Sequence, residues 1–385
     1  MPAAIKSGSA GWRQAGQSAF LVRNRSPLFA VRRYTLWKGS YIMSKILITG
    51  AAGFIGSQLA HRLYREKNEV VLVDDFSYGS EDNLIFEDAD FRSTIHRKDI
   101  RDLEFMNSLF QKENFDIVYH IAGITPLPDC QIDPPKAVDV NVRGTVILLD
   151  LIRKYGVKKM IFASTSAVYE NNKDFPSVED HVEKPSLIYP STKYTAEQYC
   201  KAYWDAYGIP VVVLRFANVY GPHIDCLRTQ PPVMGYIIRE NLLGNKPVLH
   251  STGNQERDFV FVEDLIDLAV LVSKSEKYDT VNVSTNKTVS INTIAEMIAA
   301  EMGCSDRGID YADTSHYWYR YPALYEKPYP INEKLLENEV LKYTCLSNEH
   351  AKEAYGWTPK TSLEEGIRKT VEFCVRELKK AGVGK

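Results

Sequence analysis

A doubly wound α/β fold, in which a parallel sheet carries helices on both faces and a smaller C-terminal domain stands beside it, is predicted by three observations. Short apolar runs recur from residue 46 with helix-like stretches between them, the first run ends in closely spaced glycines, and the second ends in an aspartate. Strands that alternate with helices pair in parallel, because each helix returns the chain to the edge from which the next strand starts.

In chain order, Ile46-Leu-Ile-Thr49 is the first apolar run, residues 54–66 repeat apolar positions at helical spacing, and Val70-Val-Leu-Val-Asp74 completes a βαβ unit. Further strands are expected at about 93–97, 116–122, 158–164 and 211–217, with helices at about 102–112, 135–154 and 190–207. After residue 217 the rhythm loosens into a Pro-rich stretch, helices near 230–243, 263–274 and 290–302, and an aromatic-rich segment from 311 to 329. The expected division is therefore a dinucleotide-binding domain over 43–217 and a substrate-binding domain over 218–385. Roughly 258–285, and above all the strand and helix around 258–275, are expected to return to the first domain's sheet.

The chain's 47 basic and 49 acidic residues give a formal charge of -2, which leaves no electrostatic footprint for nucleic acid or an anionic membrane surface. No apolar run is long enough to cross a bilayer, so a small molecule is the expected partner. The six cysteines show neither CxxC pairs nor metal-spaced histidines, which suits reduced thiols in a cytoplasmic enzyme without a metal site. Residues 1–42 differ from the rest: they carry Lys6, Arg13, Arg23, Arg25, Arg32, Arg33 and Lys38 but no Asp or Glu, a composition that resembles an organellar transit peptide. Met43, followed at once by Ser-Lys and the first strand, reads as a start codon. The favoured expectation is an extension that is disordered or outside the mature protein.

Gly50-Ala-Ala-Gly53-Phe-Ile-Gly56 stands between the first strand and the first helix, the context that a dinucleotide-binding loop requires. Glycines there permit a tight turn and close approach of a pyrophosphate to the backbone, while the helix start offers unpaired N–H groups and a positive dipole. Asp74 follows Gly50 by 24 residues, near the roughly 20 at which an acid meets the adenosine ribose. A 2′-phosphate against Asp74 and Asp75 would meet two carboxylates and no arginine, so NAD is expected over NADP.

Tyr189-Pro-Ser-Thr-Lys193 opens a helix. The spacing of four puts phenol and ammonium on one face, where the cation is expected to stabilise phenolate and lower the tyrosine pKa, making it a general base for a substrate hydroxyl. Ala163-Ser-Thr-Ser-Ala-Val-Tyr169 closes an apolar strand with three hydroxyls, at the sheet edge where open α/β sheets bind ligands. Thr165 precedes Tyr189 by 24 residues, a loop able to bring both to one substrate oxygen.

On these residues the chain from Lys45 to about Lys380 resembles the extended short-chain dehydrogenase/reductases, and within them the NAD-dependent epimerase/dehydratase group that acts on nucleotide sugars. Further matching stretches are His120-Ile-Ala-Gly123, Asn141-Val-Arg-Gly-Thr145, Arg215-Phe-Ala-Asn-Val-Tyr-Gly-Pro222, Arg257-Asp-Phe-Val-Phe-Val-Glu-Asp264 and Gly356-Trp-Thr-Pro359. The resemblance implies a Rossmann-type fold, a homodimer, and NAD held by Gly50, Gly53, Phe54, Ile55, Gly56 and Asp74. It also implies that Asp99 and Ile100 border the adenine, that Ala122 and Gly123 line the cofactor, and that Asn141 supports the site. Tyr189 is then the base, Lys193 holds the nicotinamide ribose, Thr165 and Ser166 face the sugar, and Asn218 and Arg257 contact the nucleotide diphosphate.

Within that group, 4,6-dehydratases usually carry Asp-Glu directly after the threonine, and decarboxylases of UDP-glucuronate usually read Thr-Ser-Glu. Here Ser166-Ala167 follows Thr165, so the expected reaction is C4 epimerisation of a UDP-hexose or UDP-hexuronate, with dehydration or decarboxylation as the alternative. A non-catalytic NAD-binding protein would not need Thr165, Tyr189 and Lys193 together. An NADP-linked reductase is disfavoured by Asp74, Asn218 and Arg257. The fit weakens late in the chain: no arginine stands in Glu339–Ala351, where relatives use one on the diphosphate, and Lys342 is the expected substitute. The run Tyr311, Tyr317, Trp318, Tyr319, Arg320, Tyr321, Tyr325 and Tyr329 is expected to pack as core more than to stack on a ligand.

Overall fold

The computed structural model describes residues 43–326 and 328–384. The expectation for residues 1–42 lies outside them. The first half runs β1 (Lys45–Thr49), α1 (Phe54–Arg65), β2 (Glu69–Asp74), β3 (His96–Arg97), α2 (Leu103–Glu113), β4 (Ile117–His120), α3 (Leu127–Ile132), α4 (Pro134–Val138), a π-helical turn (Asp139–Arg143), α5 (Gly144–Tyr155), β5 (Lys159–Thr165), α6 (Ile188–Tyr207) and β6 (Val211–Phe216). The second half runs β7 (Asn218–Tyr220), α7 (Val233–Leu242), β8 (Val248–Leu249), β9 (Glu256–Phe261), α8 (Val262–Val272), β10 (Asp279–Val283), β11 (Thr288–Ser290), α9 (Ile291–Glu301), β12 (Asp310–Tyr311), α10 (Thr314–Trp318), α11 (Glu333–Leu341), α12 (Glu349–Tyr355) and α13 (Leu363–Lys380).

Seven strands form one parallel sheet in the order β10-β6-β5-β4-β1-β2-β3. Alternation along each strand divides the core. Ile46 and Ile48 face α1 and α8, whereas Leu47 between them faces α2, α5 and α6. Strands buried on both faces read as unbroken apolar runs, which is why β5 and β6 were legible as strands without any polar alternation. The strand order reverses beside β1, whose neighbours are β2 and β4, and the C-terminal ends of these parallel strands open onto one crevice.

Elements after residue 217 build a second cluster, in which α7, α9 and α13 pack on β7 and β9. The expected return of roughly 258–285 to the first sheet needs correction for its first strand alone. Helix α8 packs on α1 as expected, but β9 pairs with β7 and β11 in a separate three-stranded sheet, and the strand that joins β6 is β10. Both hydrogen-bonding edges of β9 are taken by β7 and β11, and Phe259 and Phe261 bury in the second cluster, so nothing is left to pair with β6. Among the described residues no helix is long and apolar enough to cross a membrane.

Candidate active site

The crevice holds a cavity of about 750 Å³ lined by Gly50, Gly53, Phe54, Ile55, Gly56, Asp74, Asp99, Ile100, Ala122 and Gly123. Its floor admits only glycine at two points. A side-chain carbon on Gly50, which has φ +72°, would stand 2.6 Å from the Ala122 nitrogen, and one on Gly56 would stand 2.0 Å from the Gly50 oxygen. No side chain caps the first turn of α1 and no acid stands in it, so its N–H groups and positive end face the cavity unopposed. Asp74, at the end of β2, fixes the loop by accepting from Ala52 N (2.9 Å) and Phe76 N (2.7 Å), and burial raises its pKa. Each carboxylate oxygen keeps a lone pair for a ribose hydroxyl. This cradle fits a dinucleotide.

Two of the basic side chains lining the cavity, Lys98 and Arg101, stand beside Asp99 in the chain, where sequence alone suggested no arginine. Both are neutralised: Arg101 pairs with Asp99 and Asp139, each at 2.5 Å, and Lys98 pairs with Asp102 at 3.1 Å. Asn141 is buried in the π-helical turn and does not reach the cavity. It accepts from Ile124 N (2.8 Å) and donates to Ile124 O and Thr192 Oγ1 (both 3.0 Å), tying the loop after Gly123 to the first turns of α6.

Thr165, Tyr189 and Lys193 line the same cavity. Thr165 Oγ1 accepts from Ala167 N at 3.1 Å, which leaves its own proton free to donate, and the hydroxyl is near enough to the Tyr189 phenol to pull its pKa down. Ser166 does not reach the cavity; it opens the 3-10 turn Ser166–Tyr169, so the expected contact with the sugar is not supported, and neither 166 nor 167 shapes the space. The expected lowering of the Tyr189 pKa by Lys193 is also corrected. Burial pushes the phenol up to about 12, against a pull downward from Thr165, and burial pushes Lys193 down to about 8 although Glu197 opposes this. Both charged forms lose hydration on the same wall of the crevice, and the Lys193 ammonium lies 4.3 Å over the Phe162 ring.

Beyond the strand ends a second cavity of about 1050 Å³ adjoins the first, with Asn218 on the wall of both. Asn218 Nδ2 donates to Asp258 O at 2.9 Å. Arg257 is 8% exposed and, among the described residues, donates only to backbone carbonyls, those of Glu256, Glu339 and Val340. Asp258 does not pair with it, being turned to Thr285 and Asn286. A buried guanidinium on a cavity wall, pushed down to about 10 by burial and without a carboxylate partner among the described residues, marks a place for an anion.

A family model described as NAD dependent epimerase/dehydratase matches residues 46–284. The chain belongs to that family. NAD is its cofactor, and the hydride chemistry of the nicotinamide is what the cofactor supplies when bound. The chain is 30% identical to UDP-glucose 4-epimerase of Mycolicibacterium smegmatis, over 86% of this chain and 98% of that one. It is also 30% identical to dTDP-D-glucose 4,6-dehydratase of Mus musculus, over 86% and 88% respectively. Among solved structures it resembles UDP-glucose 4-epimerase with UDP-glucose from Thermotoga maritima, with TM-score 0.76, 30% identity, and coverage of 87% of this chain and 99% of that one.

Other residues of this family member's second cavity were not legible in the sequence. Arg228, His250 and Arg320 line it from loops, and Tyr236 and Arg239 line it from α7. Lys342, the expected stand-in for a missing arginine, does not line it and is instead paired with Glu339 at 2.5 Å. The aromatic run divides. Trp318 is core, donating Nε1 to Leu336 O at 3.0 Å, while Tyr317, Trp318, Arg320 and Tyr321 also face the cavity and Tyr311, Tyr319 and Tyr329 are exposed.

Proposed function

We propose that the protein is a nucleotide-sugar 4-epimerase with a UDP-linked hexose or hexuronate as substrate. The observation that carries this reading is the junction of the two cavities. Thr165, Tyr189 and Lys193 stand on one side, and Asn218 and Arg257 stand towards the other. Tyr189 takes the proton of the C4 hydroxyl, and Thr165, its lone pair occupied by Ala167 N, donates its own proton to the same oxygen. Lys193 orients the nicotinamide ribose. Arg257 and Asn218 hold the diphosphate, so the sugar can turn about its link to the nucleotide and present its other face before Tyr189 returns the proton.

Elimination of water would need a further acid and base near C5 and C6. The acids on the second cavity's wall are already engaged: Asp129 accepts from Tyr78, Asp225 from the backbone of Arg228, and Glu339 is paired with Lys342. That supports epimerisation over the dehydration named for the mouse relative.

The test is incubation with UDP-glucose, UDP-N-acetylglucosamine and UDP-glucuronate without added NAD, followed by separation of the products. Conversion of one of them to its C4 epimer is expected. A 6-deoxy-4-keto product or released carbon dioxide would falsify the reading.

A further inference from the structure

The helix that carries Tyr189 begins without a cap of its own. Leu187 is the residue at its N-terminal boundary and has no capping side chain, and Tyr189 is only the second residue of α6. An uncapped first turn frays readily, since its first N–H groups lack partners within the helix. Here side chains from elsewhere take the N–H groups at the helix boundary. Glu170 Oε1 accepts from the backbone N–H of Leu187 at 2.8 Å and also from that of Ser186, and Gln131 Oε1 accepts from Ile188 N at 3.2 Å.

Glu170 stands directly after the turn Ser166–Tyr169 that leaves β5 at Thr165, and its own N–H donates to Ala167 O at 3.0 Å. One carboxylate therefore joins the two segments that bear the Thr165 and Tyr189 hydroxyls. The intervening loop is stapled further out, where Asn171 Nδ2 donates to Lys184 O (2.7 Å) and Asn172 Oδ1 accepts from Glu183 N (2.8 Å), but among the bonds made from within this loop that of Glu170 to Leu187 lies nearest to Tyr189 in the chain. The geometry is one-sided. Among the described residues Glu170 Oε2 is buried with no hydrogen-bond partner, with Lys342 and Glu339 as its charged neighbours. A buried oxygen left unmatched is costly, and it persists where a second constraint holds the group in place.

We propose that Glu170 is a positioning residue for the reaction: by clamping the start of α6 to the turn after β5, it sets the approach of the Tyr189 phenol to the Thr165 hydroxyl. This rests on the reading of Tyr189 as the proton-transferring group. Glu170 itself touches neither cavity and transfers no proton.

The test compares Glu170→Ala and Glu170→Gln with the parent enzyme, with Tyr189→Phe as control. In Glu170→Ala, kcat should fall roughly 10- to 100-fold, the scale of a misplaced catalytic group, with KM for the nucleotide sugar within about twofold. The acid limb of the kcat profile should move to higher pH, because the Thr165 contact that pulls the Tyr189 pKa down is loosened. Glu170→Gln keeps an acceptor oxygen for both N–H groups and should restore kcat and the limb. A folded Glu170→Ala with unchanged kcat and limb overturns the proposal, as does a Glu170→Gln no better than Glu170→Ala. If Glu170→Ala does not fold, Glu170→Asp, one methylene short of both N–H groups, is read in the same way. Full activity in Tyr189→Phe would overturn the site reading itself, whereas an inactive Tyr189→Phe beside an unaffected Glu170→Ala would overturn the clamp alone.

Discussion

Glu197 and Arg215 form a buried two-pronged ion pair, with Arg215 Nη2 2.7 Å and Nε 3.1 Å from the Glu197 carboxylate and side chains only 2% and 5% exposed. The same carboxylate accepts from Ser164 of β5, and Arg215 Nη1 donates to the Tyr169 phenol at 2.7 Å. β5, β6, α6 and the turn after Thr165 thus share one polar knot. Breaking such a pair from one side leaves a charge buried alone, so Arg215→Met should lose about 3–5 kcal/mol of stability. Glu197→Gln in the same chain should restore part of it. Urea unfolding of both variants measures this, and a loss in Arg215→Met within about 1 kcal/mol of the parent would contradict it.

Lys193 gives a pH-dependent signature. Its folded pKa of about 8 lies below the ordinary 10.5, so between those values the unfolded chain holds more protons than the folded one. The cost of burying the ammonium is present in full below pH 8 and is relieved as pH rises towards 10.5. Against Lys193→Met, the parent should therefore gain up to about 3 kcal/mol between pH 7 and pH 10. Denaturation midpoints of the two proteins that run parallel across that range would refute it.

Arg257 should matter to the substrate and not to the cofactor. Replacing it by leucine removes the unpaired guanidinium from the second cavity and should raise KM for the nucleotide sugar roughly 10- to 100-fold, in line with a charged hydrogen bond. NAD affinity should stay unchanged. Arg257→Lys should recover little, because an ammonium lacks the planar fork. Loss of NAD binding in Arg257→Leu would place the residue at the wrong end of the crevice.

Tyr78, in the loop after β2, donates a 2.6 Å hydrogen bond to Asp129 of α3. Tyr78 lines both cavities, so the bond links a wall of the cofactor crevice to the helix that flanks the second cavity. Tyr78→Phe should let bound NAD exchange faster by roughly tenfold, the worth of one charge-assisted hydrogen bond. A chase of labelled NAD reads this directly, and an unaltered exchange rate would show that the bond does not restrain the cofactor.

Local chemistry made much of this protein legible from its residues. The alternation of Ile46, Leu47 and Ile48, the glycines at 50, 53 and 56, Asp74 at the end of β2, and the four-residue interval of Tyr189 and Lys193 all follow from backbone periodicity and short-range sterics, which the sequence displays directly. What the tertiary structure decided are choices between distant competitors. β10 joins β6 because both edges of β9 are already paired. Lys342 turns to Glu339, Arg257 is left without an acid among the described residues, and Glu170 reaches the N–H groups of Ser186 and Leu187. The pKa values of Tyr189 and Lys193 belong here too: adjacency on a helix promised a charge effect, but the depth of the crevice, set by elements from the whole sheet, made desolvation the larger influence.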